Sequence, residues 1–282
     1  MVDTLDVATL NVWNKAGPWA ERLALVRSEL AQRAVDVLGL QEVLRFGGAP
    51  PGAATCQAWE IAEGLGYHVA FGRAADYGGG LFFGNAVLSR HPLLEERVFE
   101  LPGKDSGETR SLLYTRLDTP AGALPVFVTH LNWKLHHGAV RLDQVRAIVD
   151  TIFSVCPLDE QALPPVLMGD FNAEPDSDEI RFLRGFAVVD GRSVYFADAW
   201  VYGADGSPGY TFDRRNHYAA LAHEPPRRID YIFVRGPDRY FRGEPTHTEL
   251  AFCTSAEGPD GEVWPSDHFG LRARLVVGKR ER

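Results

Sequence analysis

Six apolar segments of this sequence end in, or run into, a residue that can move a proton or hold a cation. Asn11 follows Leu10, and Glu42 follows Leu40-Gln41. His130 closes Val126-Phe127-Val128-Thr129, and Asp170 and Asn172 stand in Met168-Gly169-Asp170-Phe171-Asn172. Asp230 lies in Arg228-Ile229-Asp230-Tyr231-Ile232, and Asp267-His268 leads into Phe269. Attack of water on a phosphate ester needs an activated water, neutralised phosphoryl oxygens and help for the leaving oxygen. Carboxylates and amide oxygens are hard ligands suited to Mg²⁺, which takes one or two carboxylates plus waters and substrate oxygens. A histidine held by a carboxylate works as a general base near neutral pH. No serine elbow, glycine-rich phosphate loop or cysteine cluster offers a rival chemistry.

Taken singly, each residue has a plainer reading. Glu42 reads as a solvated strand-edge residue and His130 as a hydrogen-bonded core histidine. Asp230 could pair with Arg228 across a strand, and Asp170 and Asn172 could be turn-formers. Asp267 could cap a turn. Between residues 213 and 228, Arg214, Arg215, Arg227 and Arg228 with His217 and His223 could embrace a phosphate-rich substrate, or form a solvated loop. Trp133 follows His130 closely enough to stack on a base or touch a lipid headgroup; an ordinary loop is as good a reading.

The elements that would position these residues alternate along the chain. Residues 5–12 read as a strand, and Pro18 opens a helix with Trp19, Leu23, Val26 and Leu30 on one face. A short strand over 35–40, a helix over 56–65 stopped by Gly66, and strands over 67–71 and 81–88 follow. Strands over 112–117 and 125–129 flank the turn Thr119-Pro120-Ala121-Gly122 and predict a hairpin. Residues 138–155 carry apolar residues at helical spacing. A strand over 166–168 comes next, and Asp176 with Glu179 predicts a capping box for a helix through Leu183. Strands over 229–234 and 269–277 close the pattern. Hairpins mixed with strand–helix units predict mixed sheets covered by helices, in a single α/β domain over 1–282.

Composition sets the outer bounds. A 45% hydrophobic content with 24% charged residues allows a real core, and a formal net charge of −9 does not favour nucleic acid by itself. Cys56, Cys156 and Cys253 lie far apart, as free thiols of a reducing compartment would. With no charged-then-apolar leader and no apolar run of the ~20 residues a membrane span needs, the expectation is a cytoplasmic monomer without membrane insertion.

Together these motifs resemble the endonuclease/exonuclease/phosphatase superfamily, the fold of deoxyribonuclease I. The matching pieces also include Gly84-Asn85-Ala86-Val87-Leu88-Ser89-Arg90 and Ser266-Asp267-His268, and they run from residue 10 to residue 270. The resemblance implies a four-layer α/β/β/α sandwich of two mixed sheets with the site at one end. It implies Glu42 as principal ligand of Mg²⁺ or Mn²⁺, supported by Asn11 and Asp267. His268 would activate water or steady the phosphate, with Asp230 orienting it. Asp170 and Asn172 would contact nucleophile and phosphoryl oxygens, and His130 a non-bridging oxygen. Arg228, Trp133 and Asn85 are the expected substrate contacts. The substrate would be a phosphate ester, either a small molecule or a nucleic acid. Many nucleases of the family carry a second acid two positions after the first asparagine. Trp13 occupies that place, and Asn11-Val12-Trp13 is similar to sphingomyelinase-like branches. A lipid phosphodiesterase and a silent binding module are the alternatives.

Overall fold

The computed structural model describes residues 3–47, 52, 54–103, 105–157, 159 and 162–279. The chain opens with β1 (Thr4–Asn11), α1 (Trp19–Arg33), β2 (Val37–Phe46), α2 (Gln57–Ala62), β3 (His68–Asp76) and β4 (Leu81–Ser89). A second run holds β5 (Leu93–Leu101), β6 (Arg110–Thr119), β7 (Gly122–His130), α3 (Gly138–Val155), β8 (Val166–Asp170) and α4 (Asp178–Leu183). It continues through β9 (Ala197–Asp198), α5 (Ala199–Gly203), α6 (His217–Ala220) and β10 (Asp230–Val234). The last run is β11 (Pro245–Ala251), the small ribbon of β12 (Ala256–Gly258) and β13 (Gly261–Val263), and β14 (Gly270–Val276).

Strand alternation builds the layers. Successive side chains of a strand point to opposite faces, so a strand apolar on both faces must be covered twice. Val7 faces the interior between the sheets, with Val128, Met168 and Ile232, while its neighbour Ala8 faces outward to Val26 and Leu30 of α1. In the second sheet Val126 and Val128 point inward and Phe127 outward, to Val145, Ile148 and Ile152 of α3. The sheets run β11-β14-β1-β2-β4-β3 and β5-β6-β7-β8-β10-β9. The expected four-layer sandwich of two mixed sheets is therefore what the chain forms. At its centre the sheets approach so closely that a Cβ at Gly39 would lie 2.8 Å from the Met168 sulfur. No helix of the described residues is long and apolar enough to cross a membrane.

The helix over 138–155 and the hairpin, Thr119 paired with Gly122, stand where the pattern put them. Some details differ. The second helix is shorter than 56–65, covering Gln57–Ala62. Ser177, not Asp176, precedes α4, with no side-chain capping bond: its hydroxyl accepts the Glu174 N–H at 3.1 Å, and the Glu179 carboxylate takes Arg141 Nε at 2.6 Å. The edge strand β5 went unread because Glu95, Glu96, Arg97 and Glu100 interrupt its apolar pattern, and charges are how sheets guard free edges.

Two parallel pairings gather the polar strand ends. β1 and β2 run parallel with Asn11 opposite Gln41, and β7 and β8 run parallel with His130 opposite Asp170. β10 runs antiparallel to β8, which sets its first residue, Asp230, against Asp170. The same end of both sheets thus receives every one of these side chains.

Candidate active site

Glu42 is presented by an irregularity. β2 loses register with β4 between Leu40 and Val43, and Glu42 takes φ +60°. Trp13, Asn14 and Asn172 share the left-handed region, at φ 51°, 38° and 50°. Such backbone is uncommon outside glycine and gathers where a site is over-determined by its surroundings. Asn11 Nδ2 lies 3.2 Å from Glu42 Oε1 and 3.0 Å from Asp170 Oδ2, so one amide joins the two carboxylates. Asn14 Nδ2 donates to the other Glu42 oxygen at 3.1 Å. The Asn11 oxygen accepts the Trp13 N–H at 2.9 Å and keeps a second lone pair. Asp267, whose Oδ1 lies 3.2 Å from Ser266 Oγ, is pushed up to about 6 by burial, with the charge of Glu42 adding to the rise. Glu42 and Asp267 are two carboxylate donors of the hard-oxygen kind that Mg²⁺ or Mn²⁺ takes.

Next to these stands a group of two histidines and two carboxylates. His268 Nδ1 lies 2.9 Å from Asp230 Oδ2, and its Nε2 lies 3.8 Å from Asp170 Oδ2. His130 Nε2 approaches the same Asp170 oxygen at 3.5 Å. Asp170 Oδ1 accepts the Asn172 main-chain N–H at 2.9 Å, and Asn172 Nδ2 donates to Leu131 O at 3.2 Å. Burial raises the Asp170 carboxyl to about 7, and the neighbouring Asp230 adds to this. Burial works against a charged His268, but Asp230, Asp170 and Asp267 outweigh it and hold the ring well above its usual pKa. His130 goes the other way: burial, then Arg110 and His268, keep it neutral. Asp170, Asp230 and His268 bring ligand atoms within 4.8 Å of one another, a spacing that also suits a metal. Glu42 and Asp267 form a second, all-oxygen group beside that trio, so the site holds two sets of side chains that could meet a cation or move a proton.

The expected substrate contacts separate. Trp133 is 56% exposed in the loop after His130 and free to meet a ligand. Arg228 is not: it forms a bidentate pair with Asp198, at 3.1 and 2.9 Å, buried above the Tyr231 ring. This replaces both its expected substrate role and its reading as the partner of Asp230. Asn85 is buried as well; its Nδ2 donates to Ser111 O at 3.0 Å and so ties the two sheets together. In the 213–228 loop Arg227 is buried on Glu224, while Arg214 and Arg215 stay exposed.

Several residues at the site carried no signal of their own. Arg110, at the start of β6, places Nη1 3.4 Å from His130 Nδ1 and is itself held by Glu108 at 2.8 Å. Thr211 takes the N–H groups of Ile229 and Asp230 on its hydroxyl, at 3.1 and 3.2 Å, and Phe269 N–H on its carbonyl at 2.7 Å. It thereby stitches the Asp230 strand to the His268 segment. The nearest hint was position: Arg110 precedes an apolar strand as the site residues end or precede theirs.

The profile of the Endonuclease/Exonuclease/phosphatase family matches residues 8–268. The Ccr4 3'-5'-exoribonuclease subunit of the CCR4-Not complex from Kluyveromyces lactis is 23% identical over 55% of this chain. Protein angel homolog 2 of Danio rerio is 28% identical over 59%. The matches span 22% and 30% of those two proteins' lengths. Among solved structures, D. rerio TDP2 complexed with a single-strand DNA product aligns at TM-score 0.72 and 20% identity, covering 97% of this chain and 99% of that one. An endonuclease/exonuclease/phosphatase from Beutenbergia cavernae aligns at TM-score 0.66 and 26% identity, covering 98% and 72%.

Proposed function

The chain belongs to the endonuclease/exonuclease/phosphatase family, and from that premise we propose that it is a divalent-metal-dependent phosphodiesterase acting on nucleic acid or a nucleotide-like ester. The observation that carries this is the convergence of the His268–Asp230 pair on Asp170, whose other neighbour, Asn11, joins it to Glu42. Glu42, Asp267 and Asn11 would hold Mg²⁺ or Mn²⁺, which neutralises phosphoryl charge and eases loss of a proton from water. In the resting site carboxylates favour His268 as imidazolium. The neutral form of His268 would take a proton from water at Nε2. Asp230 keeps the Nδ1 proton in place and steadies the ring as it charges. Asp170 orients the attacking water. Neutral His130, with Arg110 facing its Nδ1, offers an Nε2–H to a non-bridging oxygen, and Asn172 stands beside it. The nuclease named among the relatives and the DNA in the TDP2 complex support the nucleic-acid side of this reading. The free thiols of Cys56, Cys156 and Cys253 suit a cytoplasmic setting.

The test is release of p-nitrophenol from bis-p-nitrophenyl phosphate. EDTA should abolish it, Mg²⁺ or Mn²⁺ should restore it, and Glu42→Gln should raise the metal concentration required by about 10-fold or more. Full activity in EDTA rules the mechanism out. Single-stranded RNA and DNA, sphingomyelin and inositol phosphates then form the substrate panel; turnover of sphingomyelin alone would favour the lipid alternative.

A further inference from the structure

Arg22 is one of the largest fully buried side chains among the described residues, yet it lies in the first half of a surface-covering helix, α1. A guanidinium out of water costs several kcal/mol unless its donors are met, and all the hydrogen bonds found for this one end on main-chain carbonyls. Nη1 donates to Ala16 O at 2.6 Å and to Asn14 O at 3.4 Å, and Nη2 donates to Val12 O. Nε turns the other way, to Pro265 O at 3.2 Å. The indoles of Trp13 and Trp19 lie 5.0 and 5.3 Å from its central carbon, so the cation is also met by ring faces. Trp13 in turn packs on Tyr218, 4.9 Å away.

These carbonyls belong to the two segments that build the candidate metal centre. Val12 to Ala16 follows Asn11 and carries Asn14, whose amide holds Glu42. Pro265 leads into Ser266, which donates back to Asn11 O at 2.6 Å, and into Asp267. The gap is bridged from one point by a planar fork of five donors, a reach no other side chain has. We propose that Arg22 is a positioning residue for the metal centre, clamping the 12–16 segment to Pro265 and so fixing where Glu42 and Asp267 stand relative to one another. The inference rests on the metal-dependent reading given above. Arg22 meets the centre through the carbonyls of the two chain segments, while its charge also bears on Asp267 and Glu42.

Two variants separate positioning from charge. Arg22→Met keeps most of the bulk under the indoles and loses the fork and the charge; Arg22→Lys keeps the charge and loses the fork. Mn²⁺ binding is measured directly by electron paramagnetic resonance of the free ion, beside thermal unfolding and kcat and KM on bis-p-nitrophenyl phosphate. If Arg22 positions the centre, both variants bind Mn²⁺ about 10–100-fold more weakly, the range for groups that orient metal ligands. At saturating Mn²⁺ much of kcat returns and KM barely moves. If the Met variant does not fold, the Lys variant alone must show the weaker binding. Two results overturn the inference: a lower melting temperature with unchanged Mn²⁺ affinity, or tighter binding in Met with none lost in Lys, which would mark a charge effect. Wild-type protein that binds no Mn²⁺ overturns the metal reading itself, and this inference with it.

Discussion

Two histidines stand over the Asp170 carboxylate with opposite electrical biases, and the cause lies behind each ring. Asp230 backs Nδ1 of His268, and Arg110 backs Nδ1 of His130. Environments that drive two like groups apart are how one site obtains both a proton carrier and a neutral donor. If Asp230 orients and charges His268, the two act as a unit and their losses are not multiplicative. His268→Ala should cost on the order of 10²–10⁴-fold in turnover. Asp230→Asn should cost nearly as much, because the ring is then free to adopt the wrong tautomer. The double variant should be scarcely worse than His268→Ala, with turnover counted per folded molecule; multiplied losses would sink the pair. The residues the structure brings together are those whose type and place both pointed to chemistry at a strand end. Arg228 and Asn85 belonged to equally suggestive motifs, but a motif does not say which way a side chain leaves its strand. Burial and Asp198 claimed the first, the gap between sheets the second.

At the scale of the element, the site depends on backbone that side-chain periodicity cannot announce. Nothing in Leu40-Gln41-Glu42-Val43 signals a left-handed Glu42, because the irregularity comes from pairing with β4, far along the chain. The residue before Asp170 is more exacting. Gly169 has φ +147°, and a Cβ there would lie 1.9 Å from the carbonyl oxygen of Thr129. That is backbone against backbone, with no flexible side chain to yield. Gly169→Ala should therefore cost more than about 4 kcal/mol, the level reached only by severe steric or burial errors. Urea unfolding of the purified variant checks this; a loss under about 1 kcal/mol would show that β7 and β8 can part without harm. Long periodic elements such as α3 were legible because burial on one face enforces their spacing. β5 and β11 were not, since edge strands are paired on one side only and need no continuous apolar stripe.

At the scale of the whole molecule, alternation of elements predicted mixed sheets covered by helices and the family resemblance implied the four layers, while neither gave the order of strands within each sheet. That order depends on contacts between residues far apart in the chain. Asn11 meets Asp170 across 159 residues, and Ser266 meets Asn11 across 255. Such separations delay folding, since loop closure is costly before any contact rewards it. On dilution from urea, helical circular dichroism should return ahead of hydrolysis of bis-p-nitrophenyl phosphate, with a distinct lag between them. Simultaneous recovery would show instead that both sheets close in one step. The lag has a meaning outside the test tube. β14 lies between β11 and β1 in the first sheet, and His268 is delivered immediately before it. During synthesis, at roughly 5–20 residues per second, a nascent chain shows Glu42, His130 and Asp170 to the cell well before the residue that completes them emerges. On the proposed mechanism, a chain released before His268 emerges would lack its proton carrier and be inert.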